Sequence, residues 1–433
     1  MKSSDLVYSL GWQTVRLALA VASLFSSKLA RSVAGRKRAV ERIRGSVPLA
    51  RRGSPSPLVW LHGASAGELA GAIPVVEELR RRRPGLQFAV TYSSPSAETT
   101  AARLDPQFHG FVPFDLRRHT DAAVAALRPS ALVYAKHDVW PNLTASAGRA
   151  GASTGLINAT VRPGSARLRW PGRALLRRAY RALDAVGAVS ADDGSRLETL
   201  GVCAAAIRVT GDAAFDEAVR RLEKVGRSPL RLPSRRPGVI RLVAGSTWPE
   251  DEELLIEAAA DLAALELVLV PHEPSPAAVE RLREACAARF RRPPRLYNEL
   301  DTEETVSAGP HAPSPLIVDA VGLLAELYAE GDIAYVGGAQ AGTGLHSVVE
   351  PAAAGLPVLF GPLHDRREAT ELLAAGAARE VDPTSIYATL VSLFDHARRR
   401  RMGQASLDYV AAHIGAGRAG ADLVIELLDR RPL

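Results

Sequence analysis

"PLVWLHGASAGELAGAIPVVEELRRRRPGLQFAVTYSS", residues 57–94, decides the fold. Its first residues are a short apolar run stopped by Gly63, the length of a buried strand. "ELAGAIPVVEELRRRRPG" then spaces its apolar residues as a helix and closes on Arg80 to Arg83 and Pro84. "LQFAVTYSS" is a second strand. Working outward, "ALVYAKHD" (131–138), "STGLINAT" (153–160), "AVGAVSADDGSRLETLG" (185–201) and "IRVTGD" (207–212) keep the same alternation. Strand–helix alternation of this kind predicts an α/β protein with a doubly wound parallel sheet.

The Pro/Arg/Ser-rich stretch "KVGRSPLRLPSRRPGV" (224–239) has no apolar period. It places a linker at 224–238, between a first domain at 46–223 and a second at 239–433. Alternation restarts there with "VIRLVAGST", helix "EDEELLIEAAADLA", strand "LELVLVPHE" and helix "SPAAVERLREACAARF". "NELDTEETVSAGPHAPSP" reads as a polar loop, and "PLIVDA", "GDIAYVGG" and "LPVLFGP" as further strands. The last stretch, from about Ser406, is helical and able to pack back on the first domain. Two Rossmann-like halves joined by one linker predict a central cleft, with ligands at the carboxyl ends of the strands.

A chain of 433 residues exceeds one ordinary core, and 47% hydrophobic with 5% aromatic residues fits an Ala/Leu/Val-rich α/β protein. The net charge of +7 is compatible with an anionic partner, but its basic runs sit in helix ends and linkers rather than among aromatics, which argues against nucleic acid. Cys203 and Cys286 have no metal or redox spacing, and the histidines lack ligand spacing, so no metal site is expected. There is neither a phosphate-binding Walker loop nor a serine-nucleophile elbow.

The N-terminus breaks the soluble pattern. Leu6 to Ala30 is mostly apolar, but Gln13 and Arg16 interrupt it, and the uninterrupted Leu17–Phe25 is too short to cross a bilayer. Lys28, Arg31, Arg36, Lys37, Arg38, Arg42 and Arg44 follow, opposed by Glu41. Residues 1–45 therefore read as a membrane-associated amphipathic helix and basic tail, its cations held at anionic lipid on the cytoplasmic side. The alternative is an amphipathic helix packed on the protein itself. Arg16 argues against a cleaved signal peptide.

Among the motifs, "IAYVGGAQAGTGLHSVVEPAAAGLPVLFGP" (333–362) is the strongest. A strand ends in Gly337 and Gly338, a loop with Gly344 follows, and a helix is expected to start near His346 and Ser347. Glycines let backbone N–H groups approach an anion, Glu350 can accept from ribose hydroxyls, and Pro351 is expected to kink the helix. The plain alternative is a tight strand–helix turn with a solvated Glu350. Ser246 and Thr247 in "VAGSTWPEDEE" offer phosphate or sugar contacts, or an ordinary N-cap before Glu250. His272 follows a strand end, and Gly211 sits in the turn of "VTGDAAFD". "SAGE" is a capping-box pattern, with Ser65 as N-cap and Glu68 three residues on.

Taken together these residues resemble the Kdo transferases of lipopolysaccharide synthesis, which move 3-deoxy-D-manno-octulosonic acid (Kdo) from CMP-Kdo to lipid A precursors. The resemblance covers nearly the whole chain: the apolar-basic N-terminus, "HGASAGE" (62–68), "PFD" (113–115), "DVWPN" (138–142), Asn158-Ala159, "TGDAAFD", "AGST", Gly337-Gly338, and "HSVVEP" with "FGP". It implies two Rossmann-like domains of the GT-B type, and inversion at the anomeric carbon without metal or other cofactor. It also implies an enzyme at the cytoplasmic face of the inner membrane, with a nucleotide-sugar donor and a lipid acceptor as partners. By this resemblance Glu68 is the general base that deprotonates the acceptor hydroxyl, with Ser65, Gly67, Asp138 and Asn158 on the acceptor side. Gly211, Ser246, Thr247, His272, Gly337, Gly338, Gly344, His346, Ser347 and Glu350 fall on the donor side. A capping role for Glu68 competes with the base, since a helix N-terminus lowers basicity while keeping the group ionised.

The chain departs from the family at chosen points. Lys136, His137 and Asp138 stand where the family has Glu-Thr-Glu, and Thr160 where it has Arg. Pro271, His272 and Glu273 replace Pro-Arg-His, and Ser347 replaces an Asn. These changes keep open a GT-B transferase with another nucleotide sugar or acceptor. A non-catalytic nucleotide or lipid binder and a sugar-nucleotide epimerase are the alternatives from other classes.

Overall fold

The computed structural model describes residues 8, 11–12, 18–19, 21–50, 56–225, 230, 232, 237–300 and 313–430, with 47–50 by backbone alone. The chain divides into two units, Met1–Glu217 with Ile414–Leu433, and Ala218–His413. Most of the sequence-read linker and of the polar loop lies outside the described residues. Leu230 and Leu232 pack on the second unit's core.

The first unit holds seven strands: β1 (Leu58–His62), β2 (Gln87–Tyr92), β3 (Phe108–Phe111), β4 (Ala131–Ala135), β5 (Ser153–Ala159), β6 (Ala185–Ala188) and β7 (Ile207–Val209). All pair in parallel in the order β3-β2-β1-β4-β5-β6-β7. Alternate residues of β1 feed opposite faces, Leu58 and Trp60 into one apolar cluster, Val59 and Leu61 into the other. Buried on both sides, the central strands read as continuous apolar runs. The C-terminal helix Ala416–Asp429 completes the second cluster with Leu423, Val424 and Leu427, so the last residues belong to the first unit. Arg82 pairs with Asp422, and Arg83 with Asp429 at 3.0 Å, which gives the arginine run after Leu79 a partner.

The basic tail of the N-terminus is helical. It forms the helix Ser27–Ala50, which buries Val33, Arg36, Ala39 and Ile43 on the first unit at helical spacing. Its cations Lys28, Lys37, Arg38, Arg42 and Arg44 lie exposed on the other side. Ahead of it Trp12 is buried against Phe114 and Trp140, while Leu24 and Phe25 are 78% and 86% exposed. No helix among the described residues is long and apolar enough to cross a membrane.

The second unit repeats the plan with β8 (Ile240–Thr247), β9 (Leu265–Pro271), β10 (Arg295–Leu296), β11 (Leu316–Ile317), β12 (Ile333–Val336), β13 (Val358–Phe360) and β14 (Ala378–Glu380). They too are parallel, in the order β10-β11-β9-β8-β12-β13-β14. In both units the first strand sits between the next strand in sequence and one from later in the chain, β2 and β4 around β1, β9 and β12 around β8. That reversal of strand order is where ligands bind in open α/β sheets, beyond the carboxyl ends of the strands.

Candidate active site

In the first unit, β1 ends at His62 and the chain turns through Gly63 and Ala64 into the short helix Ala66–Ala70. Glu68 folds back over this turn. Its Oε2 accepts the Ala64 N–H at 2.6 Å, and its Oε1 accepts from His137 Nδ1 at 3.2 Å. Ser65 sits at the N-cap with extended backbone but makes no side-chain capping bond, so the capping box is not formed. Glu68 instead satisfies the amide one residue earlier, and its second oxygen is directed at a histidine from another strand end. Gly67 is exposed, with open space where a Cβ would stand.

His137 and Asp138 follow β4 in a turn that begins with Lys136 at φ 70°. The His137 carbonyl accepts from Arg167 Nη1 at 3.1 Å and Tyr180 Oη at 3.4 Å, and Arg167 Nη2 also donates to the Thr160 carbonyl at 3.1 Å. Burial and the charge of Glu68 push the Asp138 carboxyl above its ordinary range, against the pull of His137, Arg167 and Arg36. Two carboxyl groups in different environments beside a histidine are groups able to take up and release a proton.

His62 is fully buried. It accepts the Trp140 indole N–H on Nε2 at 2.9 Å, so Nδ1 carries the proton toward Thr91 Oγ1 at 3.0 Å. Burial, with the nearby Arg36 charge, lowers its pKa to about 3. The two short motifs of this unit meet through Asp115. It accepts the backbone N–H of Asn142 at 2.9 Å and of Leu143 at 2.8 Å, capping from a distant segment the helix that starts at Pro141.

Two residues assigned to ligands by sequence have these surroundings in the fold. Asn158 is buried at φ 52°, its Nδ2 donating to the Gly71 carbonyl at 2.9 Å and its Oδ1 accepting the Ala213 N–H at 3.1 Å. It ties three segments of the first unit together. Gly211, grouped by sequence with the donor residues, lies in the first unit at φ 83° against Ala416. The adjoining Asp212 accepts from Lys136 Nζ at 2.9 Å. Thr160 donates to Asp193 Oδ1 at 3.0 Å.

In the second unit, Gly337 and Gly338 follow β12, and close backbone approach makes glycine necessary at both. A Cβ on Gly337 would stand 2.4 Å from the Ser246 carbonyl, and one on Gly338, at φ 100°, 2.2 Å from that of Gly344. The buried Asp251 pins this loop, taking the N–H groups of Gly338 and Trp248 at 2.9 Å each and the Tyr335 hydroxyl at 2.7 Å. Trp248, not Ser246 or Thr247, is the N-cap residue of the helix Pro249–Ala260. The Thr247 hydroxyl is buried and donates to Glu252 at 2.9 Å, while Ser246 stands at φ 55°.

His272, His346 and Trp248 form a stack. Ring centroids lie 5.0 Å apart for Trp248–His272 and 4.4 Å for His272–His346, and His272 is exposed. Burial, His272 and Arg366 lower the His346 pKa to about 4. Ser347 is exposed. The helix begins later than the sequence reading has it, at Val349, and runs only to Ala353. Pro351 thus falls in the first turn, where no helical N–H is needed, and does not kink it. Glu350 is not simply solvated, because Arg221 Nη1 donates to its Oε1 at 2.9 Å. Sequence reasoning missed Arg167, Tyr180, Asp193, Arg221 and Asp251; Asp193 and Asp251 carried a local signal, each three residues after the N-cap of its helix, while contacts such as Arg167–His137 and Arg221–Glu350 join distant positions.

Two parallel Rossmann-like units of seven strands define the GT-B class. Solved structures share it: the UDP-GlcNAc 2-epimerase of Neisseria meningitidis bound to UDP-GlcNAc has a TM-score of 0.61 at 15% identity, covering 86% of this chain and 100% of that one. Acinetobacter baumannii MurG gives 0.54 at 16%, covering 86% and 99%. These likenesses concern the fold. At the level of sequence, residues 37–217 match the family described as 3-Deoxy-D-manno-octulosonic-acid transferase (kdotransferase). The 3-deoxy-D-manno-octulosonic acid transferase of Bordetella pertussis is 33% identical over 402 residues, 87% of this chain and 89% of that protein. That of Chlamydophila psittaci is 29% identical over 354 residues, 79% of each. The chain belongs to the 3-deoxy-D-manno-octulosonic acid transferase family and is a glycosyltransferase.

Proposed function

We propose that this enzyme transfers Kdo from CMP-Kdo to a hydroxyl of a lipid A precursor, with inversion and without a metal, and that Glu68 is the general base. The observation that carries the reading is the Glu68 carboxylate itself, held at the end of β1 by the Ala64 N–H and His137. As the acceptor oxygen attacks the anomeric carbon, Glu68 takes its proton and the cytidine monophosphate leaves with the bonding electrons. His137 orients the carboxylate. In the second unit the loop of Gly337, Gly338 and Gly344 and the exposed His272 are the donor-binding elements, and Glu350, oriented by Arg221, accepts from the ribose. The names of the relatives support the sugar.

The enzyme acts at the cytoplasmic face of the inner membrane, resting there through Leu24 and Phe25. Their exposure beside the cations of the Ser27–Ala50 helix supports this interfacial contact. A second reading, transfer with another nucleotide sugar or acceptor, is favoured by one observation. Lys136 and Thr160, which replace family residues, have side chains bonded to Asp212 and Asp193.

The test is transfer from CMP-Kdo to a lipid A precursor in detergent, wild type beside Glu68→Ala, with melting curves for both. Activity in the wild type and its loss in a folded variant are expected. A wild type that binds CMP yet transfers no Kdo overturns the assignment of donor or acceptor.

A further inference from the structure

Arg36 is 7% exposed, yet its hydrogen-bonding capacity is poorly used. Nη2 reaches the Pro113 carbonyl at 3.5 Å, and Nε has no hydrogen-bond partner among the described residues. The guanidinium is enclosed by aromatic faces instead, with Phe114 and Trp140 at 5.0 Å and Trp12 at 5.5 Å from its carbon. Cation–π attraction offsets part of the desolvation. An apolar side chain of similar volume would nevertheless fill this box at lower cost, so packing alone gives no reason for a cation.

The surroundings supply a reason. Trp140 packs on both Arg36 and Trp12, with the two indoles 5.4 Å apart, and its N–H is fixed on His62. His62 ends the strand that leads into Glu68, and Trp140 closes the turn that begins with His137 and Asp138. Both loops that meet at the Glu68–His137 bond are therefore anchored on this box. Its outer wall is Trp12, held by its own N–H on the Tyr8 hydroxyl at 2.7 Å, which in turn donates to Asp115 at 2.8 Å.

We propose that Arg36, and the Trp12 that seals it from water, are positioning residues for the Glu68 site, so that the N-terminal segment is part of the catalytic apparatus as well as a tether. This rests on Glu68 being the base of the proposed transferase. Arg36 also acts through its field on Asp138, which is faced by Glu68 from the Ala66–Ala70 helix, by His137 on its own turn, by Arg167, and by the hydroxyls of Tyr134 and Tyr180.

The experiment uses the full chain in detergent, where tethering is irrelevant, with Trp12→Ala, Arg36→Met, Arg36→Lys and, as an indole-loss control, Trp170→Ala at a position 84% exposed in the same unit. Trp12→Ala is expected to keep cooperative melting and donor KM while kcat falls about tenfold or more. Arg36→Met is expected to lower kcat in the same way with donor KM unchanged, and Arg36→Lys to restore part of the rate. Full kcat in Trp12→Ala or in Arg36→Met overturns the proposal. Hydrogen exchange across 62–68 and 137–142 gives a readout independent of turnover. Faster exchange in Trp12→Ala than in wild type or Trp170→Ala supports the positioning role even if CMP-Kdo proves the wrong donor, and unchanged exchange refutes it.

Discussion

Acid should destabilise the first unit through one residue, His62. In the folded protein its ring is buried, neutral and bonded on both nitrogens, with a pKa of about 3. In the unfolded chain it takes up a proton near pH 6.5, so stability is present above that pH and is lost as pH falls toward 3. Between pH 7 and 5 the loss from His62 is about 2 kcal/mol. Asp115 opposes it, because burial raises its carboxyl to about 6. Its protonated form is favoured in the folded state, so lowering the pH over the same interval adds about 1 kcal/mol of stability. The expected net for these two groups is a loss of about 1 kcal/mol in the wild type and a gain of similar size in His62→Gln. The assay is urea unfolding at pH 7 and 5, followed by tryptophan fluorescence in a Trp248→Phe background. Trp12, Trp60, Trp140 and Trp170, the four that remain, all belong to the first unit. Parallel pH dependence in the two proteins would refute the buried, neutral His62.

Other expectations are as direct. Glu68→Gln still accepts the Ala64 N–H, so it should cost about 1 kcal/mol in stability while kcat falls on the order of 10²-fold. Calorimetry beside the transfer assay separates the two effects. Ser65→Ala should cost less than about 0.5 kcal/mol by thermal melting, below the usual ~1 for a capping serine, because this one makes no capping bond. Gly338→Ala places a Cβ against the Gly344 carbonyl at a positive φ and should abolish CMP binding by titration calorimetry, with the second unit still folded. Leu24→Ser with Phe25→Ser should weaken sedimentation with anionic vesicles about tenfold or more and leave melting unchanged.

The parallel sheets were legible in the sequence because buried strands and amphipathic helices carry their periods locally. "PLVWLHG" and "LQFAVTYSS" became β1 and β2, and the glycines after β12 announced a close-packed turn. Short elements without a period escaped, among them β3 and the two-residue β10, and the Gly-rich loop's helix was placed three residues too early. At the site, the sequence singled out Glu68 but misread its partner, since capping-box chemistry assigns Glu68 to the residue at the N-cap. The observed acceptor geometry, with Ala64 on one oxygen and His137 on the other, joins positions 69 residues apart.

What the sequence by itself determined is the class of fold and the residue types at the strand ends, because hydrophobic period and turn chemistry are read within a few residues. The tertiary structure decided what each polar side chain does. Asn158 bonds to Gly71 and Ala213, Glu350 acquired Arg221, and the basic N-terminal run became a packed helix with one buried arginine. Hydrogen bonds, ion pairs and desolvation depend on which distant segments meet, and a buried group such as Arg36 or His62 takes its protonation and its role from neighbours that no local spacing encodes.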